Sequence, residues 1–334
     1  MVKRFALAVF LARFAPFVIL GGLGFSSLNV NASTDEEVWT ILQKASVAAR
    51  ALSYQGIFVC QTGQQSKSVQ ITHHFNGKNE FARNVVLDGS PREVLSQGED
   101  LVIYNQRNDK VVIEKRRGQN MFPAVLPLNL DAVKENYTLR AIGAERVAGR
   151  QAQILHLEPK DGLRYSYRFW IDGEYGLLLK SVMFNNRNEI MESIAFNQLS
   201  LFNTVGLDWF QPRIDRSKQY VMEEEKVVAA DGSAPVTWSI KELPAGYRKV
   251  DQMMRMVPGK SHPVTHVVFS DGMASVSLFI EPIPKGARTK VMLSTSGNTN
   301  VYANVNSGYL VTVLGEVPEA TIVQIANAVV FNKK

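Results

Sequence analysis

Residues 164–171 alternate with a period of two. Tyr165, Tyr167, Phe169 and Ile171 fall on one side, and Arg164, Ser166, Arg168 and Trp170 on the other. That spacing predicts a strand with two unlike faces. Asp172-Gly173 supplies a turn, because glycine accepts the positive φ of a tight hairpin. Residues 177–184 return as an almost wholly apolar strand, Asn185 to Asn188 turn the chain again, and residues 190–199 make a third strand. Upstream, residues 151–158 read as a strand closed by Pro159-Lys160-Asp161-Gly162. These four strands form an antiparallel meander whose large side chains must cover one face or curl around whatever covers it.

Helical spacing dominates earlier in the chain. Ser33-Thr34-Asp35-Glu36-Glu37 offers a cap and first-turn acids, and Val38, Ile41, Leu42, Ala45, Ala49 and Leu52 then recur on one face. Six short strand-like segments follow at 53–61, 68–75, 79–87, 92–96, 101–105 and 110–115. The stretch MFPAVLPLNLDAVKENY breaks this rhythm with two prolines and suits a loop or short helix lying over the sheet. From Asn203 to Pro235 the chain becomes charged and poor in large apolar residues, as expected of a linker. Beyond it, HVVFSDGMASVSLFIE reads as a hairpin and TKVMLSTSGNTNVYANVNSGYLVTVLGE as two or three strands. Pro318 opens a last helix with Ile322, Ile325, Ala326 and Val329 as its buried stripe.

A chain of 334 residues favours two domains. Lys3, Arg4 and Arg13 precede an apolar run from Phe14 to Phe25 that is shorter than the ~20 residues of a membrane span. Val30-Asn31-Ala32 offers a cleavage point, so a secretory signal over 1–32 is expected. Its removal takes three basic residues and lowers the formal charge of +6 by three. That balance argues against nucleic acid as a partner. Cys60 is the single cysteine, so no internal disulfide forms, and its default reading is a small buried hydrophobe.

No catalytic constellation emerges, neither a nucleophile elbow nor a phosphate-binding loop. His262 and His266 lie on a strand-like segment, where four residues span ~13 Å and cannot share one metal ion. His73 and His74 face opposite sides of their strand. No metal site, cofactor or enzymatic activity is therefore expected. Lys115-Arg116-Arg117 is the densest basic cluster after the signal, either a charged strand end or an anion contact.

Taken together, the segments YQGIFV (54–59), GSPREVLSQGEDLVIYN (89–105), ERVAGRQAQILHLEPKDGLRYSYRFWID (145–172), GLLLKS (176–181), LPAGY (243–247) and FSDGMASVSLFIE (269–281) resemble the RseB/MucB family of periplasmic regulators of envelope-stress sigma factors. The resemblance implies an α+β protein: a large LolA-like half-open antiparallel β-barrel with packed helices, and a small α+β domain. The composition break between Asn203 and Pro235 places them at 33–208 and 236–334, with a linker at 209–235. The resemblance further implies binding to the periplasmic part of a membrane anti-sigma factor, protection of that factor from regulated proteolysis, and sensing of lipoprotein or lipopolysaccharide-type amphiphiles. The alternative is a periplasmic lipid carrier without a signalling role, which would have no need of the small domain. Self-association is left open.

A half-barrel that does not close has room for an acyl chain. Phe122 and Leu126, in a cover at 121–130, and Tyr165, Phe169, Trp170, Phe184 and Phe196, on the sheet, are the candidate lining. Lys115, Arg116 and Arg117 are candidates for the head group. Alternation alone leaves open which sheet face lines the hollow.

Overall fold

The computed structural model describes residues 34–97, 100–105, 110–115, 121–202, 205–211, 221–224, 227–228, 238–256, 262–283 and 291–331. Its contacts group Ser33–Lys334 into one compact unit. The expected signal segment lies outside the described residues.

Helix α1 (Asp35–Ala51) begins where the sequence places it. The Thr34 hydroxyl accepts from the Glu37 N–H, and the Glu37 carboxylate accepts from the Thr34 N–H at 3.0 Å, closing a capping box. Six strands follow: β1 (Tyr54–Thr62), β2 (Gln65–Phe75), β3 (Glu80–Val86), β4 (Arg92–Gln97), β5 (Asp100–Asn105) and β6 (Lys110–Lys115). After α2 (Asp131–Asn136) come β7 (Tyr137–Val147), β8 (Arg150–Pro159), β9 (Ser166–Asp172), β10 (Leu178–Phe184) and β11 (Ile190–Leu201). A 3-10 turn occupies Leu207–Phe210.

These strands join in a single sheet of order β12-β6-β5-β4-β3-β2-β1-β11-β10-β9-β8-β7, where β12 is Val221–Glu224. All neighbours are antiparallel except β12 on β6. At its centre β1 pairs with both β2 and β11, so the first and last long strands stitch two meanders together. Register shifts at Ile57/Phe58, Met183/Phe184 and Ala141/Gly143 mark bulges, which bend and twist a sheet. Val38, Leu42, Ala45 and Ala49 of α1 pack into the same core as Leu155, Leu157, Phe169 and Ile171.

The C-terminal region carries a seven-stranded sheet of order β13-β15-β16-β17-β20-β19-β18. Its strands are β13 (Val227–Val228), β15 (Arg248–Arg255), β16 (Val264–Ser270), β17 (Ser275–Pro282), β18 (Met292–Ser296), β19 (Thr299–Asn306) and β20 (Tyr309–Gly315). A separate pair joins β14 (Trp238–Ile240) to β21 (Val329–Phe331). Helix α3 (Glu319–Asn327) buries Ile322, Ile325 and Ala326 in a second core with Val267, Phe269, Leu278 and Val313.

Five local expectations change. The positive φ of the β9–β10 connection sits at Gly176 (φ 80), four residues into the turn, while Asp172 accepts from the Gly176 N–H. Val329 belongs to β21, because the chain leaves the helix at Ala328. β7 and β15 were not foreseen. β7 is an edge strand exposed at Arg140 through Arg146, and β15 is rich in charge, so neither shows a clean apolar period. The charged stretch expected to be a plain linker adds β12 to one sheet and β13 to the other. Open edges accept such strands through backbone hydrogen bonds, which need no apolar side chains. The polar side of 164–171 is also partly interior: Arg164 and Trp170 are buried.

Candidate functional site

Arg164 opens the approach to β9, and its guanidinium is fully shielded from solvent. A lone buried cation is costly, so it must be paired and hydrogen-bonded. Its Nε donates to Asp271 Oδ2 at 2.8 Å, and Asp271 is equally buried. Its terminal nitrogens donate to the Asp161 carboxylate and to the Ala245 carbonyl. The rings of Tyr137 and Tyr247 lie 6.0 and 5.1 Å from the guanidinium carbon. Burial pulls the Arg164 pKa down, but Asp161 and Asp271 outweigh it and hold the pKa above its ordinary value.

Asp271 sits in the β16–β17 turn of the C-terminal sheet. One oxygen accepts from the Met273 and Ala274 N–H groups at 2.9 Å each, and the other from Tyr137 at 3.0 Å. Burial, then the Asp271 charge, drives the Tyr137 hydroxyl well above the usual phenol range. Beside this pair, Asn300 donates to the Tyr165 hydroxyl at 3.2 Å, and Thr321 to the Leu163 carbonyl at 2.7 Å. Met273 packs against the first core.

The backbones also approach closely here. Gly246 holds φ 79, and a Cβ there would run into the Asn136 side chain. Gly272 holds φ 97, and its Cβ would lie 3.1 Å from Val133. Three of the segments that carry the family resemblance therefore meet at one junction: LPAGY, just ahead of β15, the SDGMA turn between β16 and β17, and DGLRYSYRFW, which leads into β9. In the sequence, Asp271 falls with Gly272 at the turn of the hairpin HVVFSDGMASVSLFIE and Arg164 on the polar side of 164–171, and only their pairing across 107 positions reveals the latch.

A carboxyl pair adjoins the same junction. Burial and then Glu316 push the Glu192 carboxyl up to about 7, and burial raises Glu316 as well. Cys60 Sγ lies 4.0 Å from Glu192, and burial followed by the Glu192 charge raises its thiol pKa, which disfavours the reactive thiolate.

The candidate lining residues are all buried, but they divide between two faces. Phe122 and Phe196 meet Phe58, with ring centroids 5.1 to 6.0 Å apart, and Leu126 and Phe169 belong to the same core. Trp170 and Phe184 leave the sheet on the side opposite Phe169. Trp170 donates to Glu145 at 2.6 Å beneath Lys180, and Phe184 lies under Arg168 at 4.6 Å. Tyr165 joins the junction through Asn300. The 121–130 segment is tied to α1, because Gln43 donates to the Leu128 carbonyl and Arg50 to that of Ala124. Lys115 ends β6 opposite Asp100, and Arg116 and Arg117 lie outside the described residues.

Residues 37–214 match the MucB/RseB N-terminal domain, and residues 232–330 the MucB/RseB C-terminal domain. The sigma factor AlgU regulatory protein MucB of Pseudomonas aeruginosa is 29% identical, over 92% of this chain and 94% of its own. The sigma-E factor regulatory protein RseB of Escherichia coli K12 is 25% identical, over 95% and 97%. The crystal structure of MucB in complex with MucA(peri) superposes with a TM-score of 0.71 at 27% identity, covering 89% of this chain and 100% of that one. With both domain families matched in order along its length, this chain belongs to the MucB/RseB family.

Proposed function

We propose that this protein is exported to the periplasm, holds the periplasmic part of a membrane anti-sigma factor, and so restrains an envelope-stress sigma factor. The observation that carries this reading is the near full-length likeness to MucB, including MucB as solved with MucA(peri). Arg164 lies in the matched 37–214 region and Asp271 in the matched 232–330 region, so the likeness concerns both parts that the latch joins. The role is that of a binding regulator and not of an enzyme. We assign the partner contact to the small domain (236–334) together with the 209–235 stretch, whose β12 and β13 show that sheet edges here accept added strands.

In the finer reading, the bound anti-sigma segment is shielded from regulated proteolysis, and the large domain acts as a half-open barrel that senses amphiphiles. Because Phe122, Leu126, Phe169 and Phe196 are buried together, an acyl chain would enter by displacing the 121–130 segment and taking its place against them. Each methylene so buried contributes roughly 0.8 kcal/mol. Ligand weakens the partner's hold only if the two favour different arrangements, with reciprocal linkage.

The test is calorimetric titration of the mature chain with the anti-sigma periplasmic domain, repeated at saturating lipidated peptide. Saturable binding that weakens with amphiphile is expected. No binding to the intact chain would remove the regulatory reading, and unchanged affinity with amphiphile would remove the sensing claim alone.

A further inference from the structure

The face of the sheet that carries Arg168 has an unusual row. Arg140 on β7 pairs in register with His156 on β8, and His156 with Arg168 on β9. Two guanidiniums thus flank one imidazole across three neighbouring strands, an arrangement that costs stability unless negative charge is supplied. The charged groups facing the row are Glu158, Asp161 and Arg164. Arg140 meets Glu158 at 3.1 Å, and Asp161 is committed to Arg164. Arg168 is left with no carboxylate partner among the described residues, its guanidinium resting on the Phe184 ring at 4.6 Å.

Two buried donors here have no acceptor. Arg140 Nη2 lies 3.2 Å from His156 Nδ1 and can only donate, so the neutral ring carries its proton on Nε2. That Nε2 and Arg168 Nε are both buried without a hydrogen-bond partner. Burial first, with the Arg140 and Arg168 charges adding to it against the opposing pull of Glu158, holds the His156 pKa below its ordinary value. All three residues line an open cleft of about 530 Å³, rimmed by Asn185, Asn186 and Asn188 of the β10–β11 turn.

We propose that this cleft binds a phosphate group, free or as an ester, with Arg168, His156 and Arg140 as its donors. Donors on three successive strands suit a tetrahedral group with three oxygens better than a planar carboxylate with two, and guanidinium bonds to such an anion are charge-assisted. The site is separate from the acyl-chain lining: it takes the charge that the row lacks. It also borders the latch, because Asn186 donates to the Gly162 carbonyl at 2.8 Å in the loop that carries Asp161 and Arg164.

The test is NMR of the full mature chain, following the His156 imidazole during titration with inorganic phosphate. Saturable shifts at or below about 1 mM are expected, with the His156 midpoint moving to higher pH as the dianion binds. Arg168→Gln should weaken binding at least about tenfold, and Arg168→Lys by less. Lys180→Gln removes a charge from the same sheet face outside the cleft and should leave binding unchanged. Glucose 1-phosphate binding more tightly than inorganic phosphate would identify an ester as the occupant, and equal binding the free ion. The proposal is overturned by no saturable shift up to about 20 mM, by acetate binding as well as phosphate, or by Lys180→Gln acting as strongly as Arg168→Gln.

Discussion

Arg164 and Asp271 stand 107 positions apart, and each is the other's partner in a fully shielded ion pair of 2.8 Å. Arg164 precedes β9 of the first sheet and Asp271 lies in the β16–β17 turn of the second, so neither region satisfies its own buried charge completely. Asp271→Ala strands Arg164 and also leaves Tyr137 and two turn N–H groups without their acceptor. We expect a loss of about 3–5 kcal/mol, read by urea unfolding. The double variant Arg164→Met/Asp271→Asn should recover part of that loss, because it removes both charges together. A cost below about 1 kcal/mol for Asp271→Ala would show that the pair does not hold the junction.

Gly56 lies in YQGIFV for want of space. A Cβ there would sit 2.5 Å from the Gln198 carbonyl oxygen and 2.9 Å from the Phe196 ring, beside the bulge at Ile57/Phe58. Because the nearer obstacle is backbone, the sheet itself must shift. Gly56→Ala should cost about 1–3 kcal/mol. Gly206→Ala, at an ordinary φ of −64° with open space around it, should be close to neutral. Equal unfolding midpoints for the two variants would refute the packing argument.

The meander was legible because 164–171 has a clean period of two, 177–184 is a short, almost wholly apolar run, and their turns carry Asp-Gly and Asn-rich signals. The α1 start was legible because capping is local chemistry. β7 escaped notice since an exposed edge strand needs no apolar face, and Ile142 stays exposed at its bulge. The Arg164–Asp271 pair escaped for another reason. Each residue has a sufficient local explanation, as polar alternation and as a turn aspartate, and long-range pairing leaves no periodic trace. The row Arg140–His156–Arg168 depended on strand register, which includes a shift at Ala141/Gly143 that no spacing rule supplies.

If 33–208 and 236–334 fold separately, as two distinct hydrophobic cores support, then the sign of one substitution should change with context. In the isolated 33–208 fragment Arg164 keeps only Asp161 as a charged partner, so Arg164→Gln should be neutral or stabilising. In the full chain the same change should destabilise by more than about 1 kcal/mol. Thermal unfolding of the four proteins decides this. A fragment that does not unfold cooperatively would show that the two regions fold as one, and equal effects in both contexts would show that the pairing with Asp271 does not set the sign.

Glu192 makes stability depend on pH near neutrality. Its folded pKa of about 7 stands above the ordinary 4.5, raised by burial first and then by Glu316. Between those values the folded state holds more protons than the unfolded chain, so stability falls as pH rises. The stabilising contribution is present at acidic pH, and it is lost through the window from 4.5 to about 7. Glu192 is only partly buried, so solvent screening reduces the effect to the order of 1 kcal/mol. Glu192→Gln should flatten this window by removing one of the two charges. It should also lower the Cys60 thiol pKa, because the Glu192 charge is one of the causes that raise it. Denaturation midpoints at pH 5 and pH 8, with thiol reactivity followed on the same samples, test both consequences. A pH profile for Glu192→Gln that matches the unmodified chain would assign the acid-side stability to other groups.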